Sequence, residues 1–172
     1  LDLAALEGVL RATGKVPKDM SLGGTVAIRG TCDSKGPTQA DLDAAKLRVA
    51  AKVDVTATAA NLDVTMSGKR MRLDSVKVHH AGTLDENGTG RNTITLDAGK
   101  ALTVQAKVDV ADAMGPLPAV KADLTGSSDL GELGRLLEKL IGLKQDMALE
   151  GAASLSGTIE AKGSESAKGR LG

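Results

Sequence analysis

The chain has 172 residues, with 22 lysines and arginines balanced by 22 acids and no phenylalanine, tyrosine or tryptophan. Its charges are interspersed, which argues against the concentrated basic face and stacking rings of a nucleic-acid binder and against a polybasic membrane patch. One cysteine, Cys32, rules out an intrachain disulfide, and no run of about 20 apolar residues is present to span a bilayer as a helix.

Leu3, Leu6, Val9 and Leu10 fall at helical spacing, Asp2 can cap their start, and Gly14 with Pro17 marks the stop. The phrase DMSLGGTVAIRG follows, from Asp19 to Gly30, and the polar stretch Cys32 to Asp43 reads as a loop. Strands dominate from there. KLRVAAKVDVTATA places Leu47, Val49, Ala51, Val53 and Val55 on one face and Lys46, Arg48, Lys52, Asp54 and Thr56 on the other. Period two over such a length marks a strand with one wet face. Leu62, Val64 and Met66 continue it. Met71 and Leu73 then give way to Val76 and Val78, and the change of parity at Ser75 predicts a bulge or bend. Ile94 and Leu96, then Leu102, Val104, Ala106, Val108 and Val110, then Val120, Ala122 and Leu124 supply further alternating runs.

Ser67-Gly68, Asn87-Gly88 and Ala98-Gly99 have the chemistry of hairpin turns, and Gly115 to Pro118 is a break. A second amphipathic helix follows, with Leu130, Leu133, Leu136, Leu137, Leu140 and Ile141 on its apolar stripe. Asp129 and Glu132 have capping-box spacing, Gly142 suits the terminator, and Lys139 and Lys144 suit the negative end of the dipole. The connections are too short for helical crossovers, so about seven strands between the two helices are expected to form an antiparallel meander.

DMALEGAASLSG, from Asp146 to Gly157, repeats the earlier phrase 127 positions on. The correspondence keeps that offset from Asp2 and Asp129 through Leu6 and Leu133, Gly24 and Gly151, to Gly36 and Gly163. The expected organisation is a helix opening one unit (residues 1–16), its β meander (17–127), a helix opening the next (128–143) and that unit's first strand region (144–172). A start at Leu1 without Met reads as a piece trimmed from something longer.

Possible chemistry is sparse. His79 and His80 are adjacent on a strand and point to opposite faces, a poor chelate. Asp85 to Gly90 lacks the twelve-residue calcium pattern and reads as a turn. The glycines after Leu22 lack a Gly-Lys-Ser ending, and Asp41 and Asp43 sit in polar surroundings. No cofactor or metal is expected and the chain reads as a non-enzyme. An alternating apolar stripe alone has two readings, the closed core of a sandwich or the lining of an open trough.

A leucine helix, an L-x-G-x-x-x-x-x-G strand (Leu22, Gly24, Gly30; Leu149, Gly151, Gly157) and long alternating strands resemble the AsmA-like and TamB-like proteins of the bacterial envelope. The resemblance implies a mainly β fold with short helices: an antiparallel meander forming a curved, open groove-like sheet, preceded and followed by an amphipathic helix. It also implies passage of phospholipids between membranes along that groove. The location would be the periplasm, with an inner-membrane anchor elsewhere in the parent protein and adjoining repeat units of the same chain as partners. The residues expected to touch acyl chains are Leu47, Val49, Val53, Val55, Leu62, Val64, Leu102, Val104, Val108 and Val110, with the helix from Asp129 to Ile141 capping one mouth or edge. The rival expectation is a structural, adhesin-like β module with a closed aliphatic core and no ligand.

Overall fold

The computed structural model describes residues 1–12, 17, 19–44, 48–115, 117–141, 150–163 and 166–171. In chain order these form α1 (Leu3–Ala12), β1 (Met20–Lys35), α2 (Gln39–Asp43), β2 (Ala50–Met66), β3 (Lys69–Leu84), β4 (Gly90–Asp97), β5 (Thr103–Ala111), β6 (Ala119–Asp129), α3 (Leu130–Ile141), β7 (Ala152–Lys162) and β8 (Ser166–Leu171). All eight strands belong to one sheet, in the order of the chain and antiparallel at every step. β1 and β8 remain at opposite edges, so the meander does not close into a barrel.

The expected strands and turns are largely in place. Ser67 (φ +51°) and Gly68 (φ +75°) make a two-residue turn with both residues at positive φ, the twist that joins neighbouring antiparallel strands without splaying them. Two details differ from expectation. Among the described residues six strands, where about seven were expected, lie between α1 and α3. Cys32 to Lys35 extend β1 instead of looping, and Gln39–Asp43 form a short helix capped reciprocally by Thr38 and Asp41.

The parity change in β3 has a structural counterpart. Pairing between β1 and β2 shifts between Gly23 and Thr25, where Asn61 on β2 takes φ +52°. β2 and β3 keep one register across the same place, Ala60 facing Ser75 and Leu62 facing Leu73. Both strands therefore turn their apolar residues over together, and the cross-strand aliphatic pairs survive the irregularity.

Strand lengths are unequal. β2 has 17 residues, which is about 55 Å at 3.3 Å per residue, whereas β4 has 8 and β5 has 9. β4 covers only Lys77 to Leu84 of β3, leaving the first half of that strand without a partner on one side. α3 packs against β3 and β6 at this step. A helix over an exposed strand edge blocks unwanted pairing there. Leu136 and Glu132 line a cleft of about 430 Å³ with Leu73, Lys77 and the β4–β5 turn. Asp129 caps α3, its Oδ1 accepting from the N–H of Gly131 (2.9 Å) and Glu132 (3.1 Å). Asp2 caps α1 similarly, accepting from the Ala4 N–H at 2.9 Å.

Among the described residues only Leu3 and Ala101 are buried apolar side chains. Gly14, Leu47, Gly142, Lys144 and the expected strand residues 146–149 lie outside the described residues, as do the side chains of Leu6, Val9, Leu10, Leu137, Lys139 and Leu140. Among the described residues no second layer of strands lies against the sheet. The ladder of backbone hydrogen bonds and its cross-strand pairs hold it, each pair contributing about 0.2–1 kcal/mol.

Candidate functional site

Register determines which side chains share a face. Val53 faces Gly82, Gly82 faces Asn92, Asn92 faces Val108, Val108 faces Ala122 and Ala122 faces Ile159. Two residues along, Val55, His80, Ile94, Ala106 and Leu124 make the next row; then come Ile28, Ala57, Val78, Leu96, Val104, Gly126 and Leu155. In the other direction the row is Ala51, Leu84, Gly90, Val110, Val120 and Ala161. These rows lie on one face, and it is aliphatic. Ile28, Val78, Ile94, Val120, Leu155 and Ile159 are all on it and all remain exposed, from 37% at Val120 to 63% at Ile28.

The opposite face is charged and paired. Arg91 Nε donates to Asp109 Oδ1 at 2.9 Å, and Lys121 lies 3.8 Å from Glu160. Both pairs join residues directly opposite in register. Asp63 holds Arg70 in a forked contact with Arg72 nearby, and the bond to Arg70 keeps its carboxyl below the ordinary aspartate range.

A cavity of about 830 Å³ lies at the end of the sheet where β3 to β7 present Leu84, Gly90, Val110, Val120 and Ala161, with the charged row beside them. A flat face five strands wide encloses nothing, so the sheet bends. The aliphatic row and the charged row both contribute to the cavity wall: the side chains of Arg91 and Glu160 are 82% and 62% exposed, whereas Leu84, Val110 and Ala161 are half-buried.

Five residues expected to touch acyl chains lie together on the aliphatic face: Val53 and Val55 on β2, and Val104, Val108 and Val110 on β5. Of these only Val110 lines the cavity. Leu62 and Val64 face Leu73 and Met71 beyond the irregularity, toward the end flanked by the helices. Val49 and Leu102 immediately precede their strands. Leu84, Val120 and Ala161 line the cavity and were not among the expected contacts. Val120 has the right periodicity, but Leu84 sits beyond the apolar run that ends at Val78.

A polar pair interrupts the aliphatic face. His80 Nε2 and Asn92 Oδ1 are 3.1 Å apart, beside Gly82, where an added Cβ would overlap the Asn92 amide. His79 instead points to the charged face and meets Asp54 Oδ1 at 3.0 Å. The two histidines thus take separate partners, as alternation requires.

Comparison of the chain with family models, with curated proteins and with solved structures finds no match.

Proposed function

We propose that this chain is a segment of an AsmA-like envelope protein that holds phospholipid acyl chains along its aliphatic face and lets them pass between membranes. The observation that supports this reading is the row-upon-row aliphatic surface left in contact with water. Soluble chains rarely expose a contiguous apolar patch of this kind unless something binds it. The alternative of a closed core needs a second layer, and the single sheet supplies none among the described residues.

The energetics suit a lipid tail. Transfer of each methylene from water is worth about 0.8 kcal/mol, so six in contact contribute about 5 kcal/mol without any directional bond. Binding of that kind is tight enough to retain a tail and non-directional enough to let it slide. Val, Leu and Ala present a smooth wall, while the paired charges of the opposite face keep the segment in water. The role is binding and conduction, not catalysis. In this reading the chain works in the periplasm beside adjoining repeat units, anchored to the inner membrane by other parts of its parent.

Native mass spectrometry after gentle purification tests the proposal. Phospholipid adducts, or uptake from added vesicles, are expected. A clean apo mass that takes up no lipid would leave a structural β module as the better description.

A further inference from the structure

The first two residues of the chain are already paired as a strand. Leu1 N donates to Val26 O at 2.8 Å and Val26 N donates to Leu1 O at 2.7 Å, a reciprocal antiparallel pair, and Asp2 bridges Thr25. The same arrangement recurs 127 positions on. Ser128 faces Ala153 and Asp129 faces Ala152, the last two residues of β6 against the start of β7. In both places the aspartate then caps a helix. Leu1 and Asp2 therefore stand where the end of β6 stands.

On β7 the neighbouring strand continues, pairing from Ala152 to Lys162. On β1 the corresponding residues, Val26 to Lys35, form the outer edge of the sheet among the described residues. Val26 turns its N–H and C=O outward, so Ile28, Gly30, Cys32 and Ser34, of the same parity, do the same. An open edge of this length is a template for another strand.

We infer that the edge of β1 from Val26 to Lys35 is a strand-acceptor site, and that its occupant is a β6-like antiparallel strand of polypeptide leading directly into Leu1. Continuity with the Leu1–Val26 pair fixes direction and register. The chemistry follows from β6. Lys121 sits opposite Glu160, which corresponds to Asp33, so a cation belongs opposite Asp33. Gly126 sits opposite Leu155, which corresponds to Ile28, so a small residue belongs opposite Ile28.

The test places the sequence of Ala119–Ser127 immediately before Leu1 and follows amide hydrogen exchange by NMR. Exchange at Ile28, Gly30, Cys32 and Ser34 should slow at least about tenfold relative to the unextended chain. A control graft with proline at the positions of Leu124 and Gly126 should leave those rates unchanged. Register is read separately. A cysteine at the graft position of Ala122 should cross-link to Cys32 under mild oxidation, and one at the position of Asp123, on the other face, should not. Unchanged exchange in a folded extended chain overturns the inference, as does equal cross-linking from both positions. Protection that rises with concentration in the unextended chain, with nothing added by the graft, would make a second copy the occupant and overturn it equally.

Discussion

Gly24 and Gly151, 127 positions apart, adopt nearly the same positive φ, +117° and +101°. Each lies 21 residues after the first residue of its helix; Gly24 sits within β1 at the register shift, and Gly151 immediately precedes β7. Their surroundings differ. A Cβ on Gly24 would come within 2.7 Å of the Asn61 carbonyl oxygen, whereas one on Gly151 meets nothing within 4 Å. Gly24→Ala therefore carries both backbone strain and a clash with the adjoining strand, and should cost about 2–3 kcal/mol. Gly151→Ala carries the strain alone, about 1–2 kcal/mol. Urea denaturation of both variants checks the order, and equal losses would remove the clash at Asn61 from the account.

Glu7 joins α1 to β1. Its Oε2 accepts the Leu22 N–H at 2.6 Å and its Oε1 accepts from Arg11 Nε at 2.6 Å. The backbone bond first, and Arg11 second, hold its carboxyl below the ordinary glutamate range. A depressed folded value means the stabilisation is complete above the ordinary glutamate pKa of about 4.3 and is lost as pH falls through the lower, folded one. Glu7→Gln should thus weaken the protein at neutral pH and narrow its loss of stability on acidification. Urea midpoints of both proteins at pH 7 and pH 3 test this. A variant with an unaltered pH difference would show that Glu7 contributes none of it.

Asp129 ends β6 and caps α3. Asp129→Ala removes the acceptor for two N–H groups and should cost about 1 kcal/mol. The loss should be concentrated at α3 and its contact with β3, visible as faster amide exchange at Gly131 and Glu132 and in the first half of β3.

Charge on the aliphatic face should separate binding from folding. Val53 and Val104 are only half-buried, so Val53→Asp and Val104→Asp leave the ladder intact. A carboxylate among the aliphatic rows should abolish lipid uptake in native mass spectra. Asp123→Asn, on the opposite face and away from the cavity, should leave uptake unchanged. Full uptake by folded Val53→Asp and Val104→Asp would remove these positions from the proposed path.

Much of the architecture was legible because alternation is a local property. Val53 and Val55, or Val104, Val108 and Val110, declare a face without reference to any other strand, and Ser67-Gly68 declares its turn. The parity change near Ser75 also pointed to a real irregularity, although its partner at Asn61 emerges only from pairing. Strand ends were harder. Cys32 to Lys35 are polar and exposed, so no apolar signal extended β1 through them; backbone pairing with Ala50 to Val53 does so. The cavity residues Leu84, Val120 and Ala161 lie far apart in the sequence and meet only through register across β3 to β7. The His80–Asn92 pair likewise depends on a diagonal contact between strands, enabled by the missing side chain at Gly82.

The scarcity of buried side chains bears on how this protein responds to temperature. Unfolding an ordinary domain wets its interior and raises the heat capacity by about 12–15 cal/mol/K per residue. Here much of the aliphatic surface is wet already, with Leu3 and Ala101 the buried apolar side chains among the described residues. Calorimetry should record a smaller increment per residue and a stability curve that is broad and flat, with little penalty in the cold.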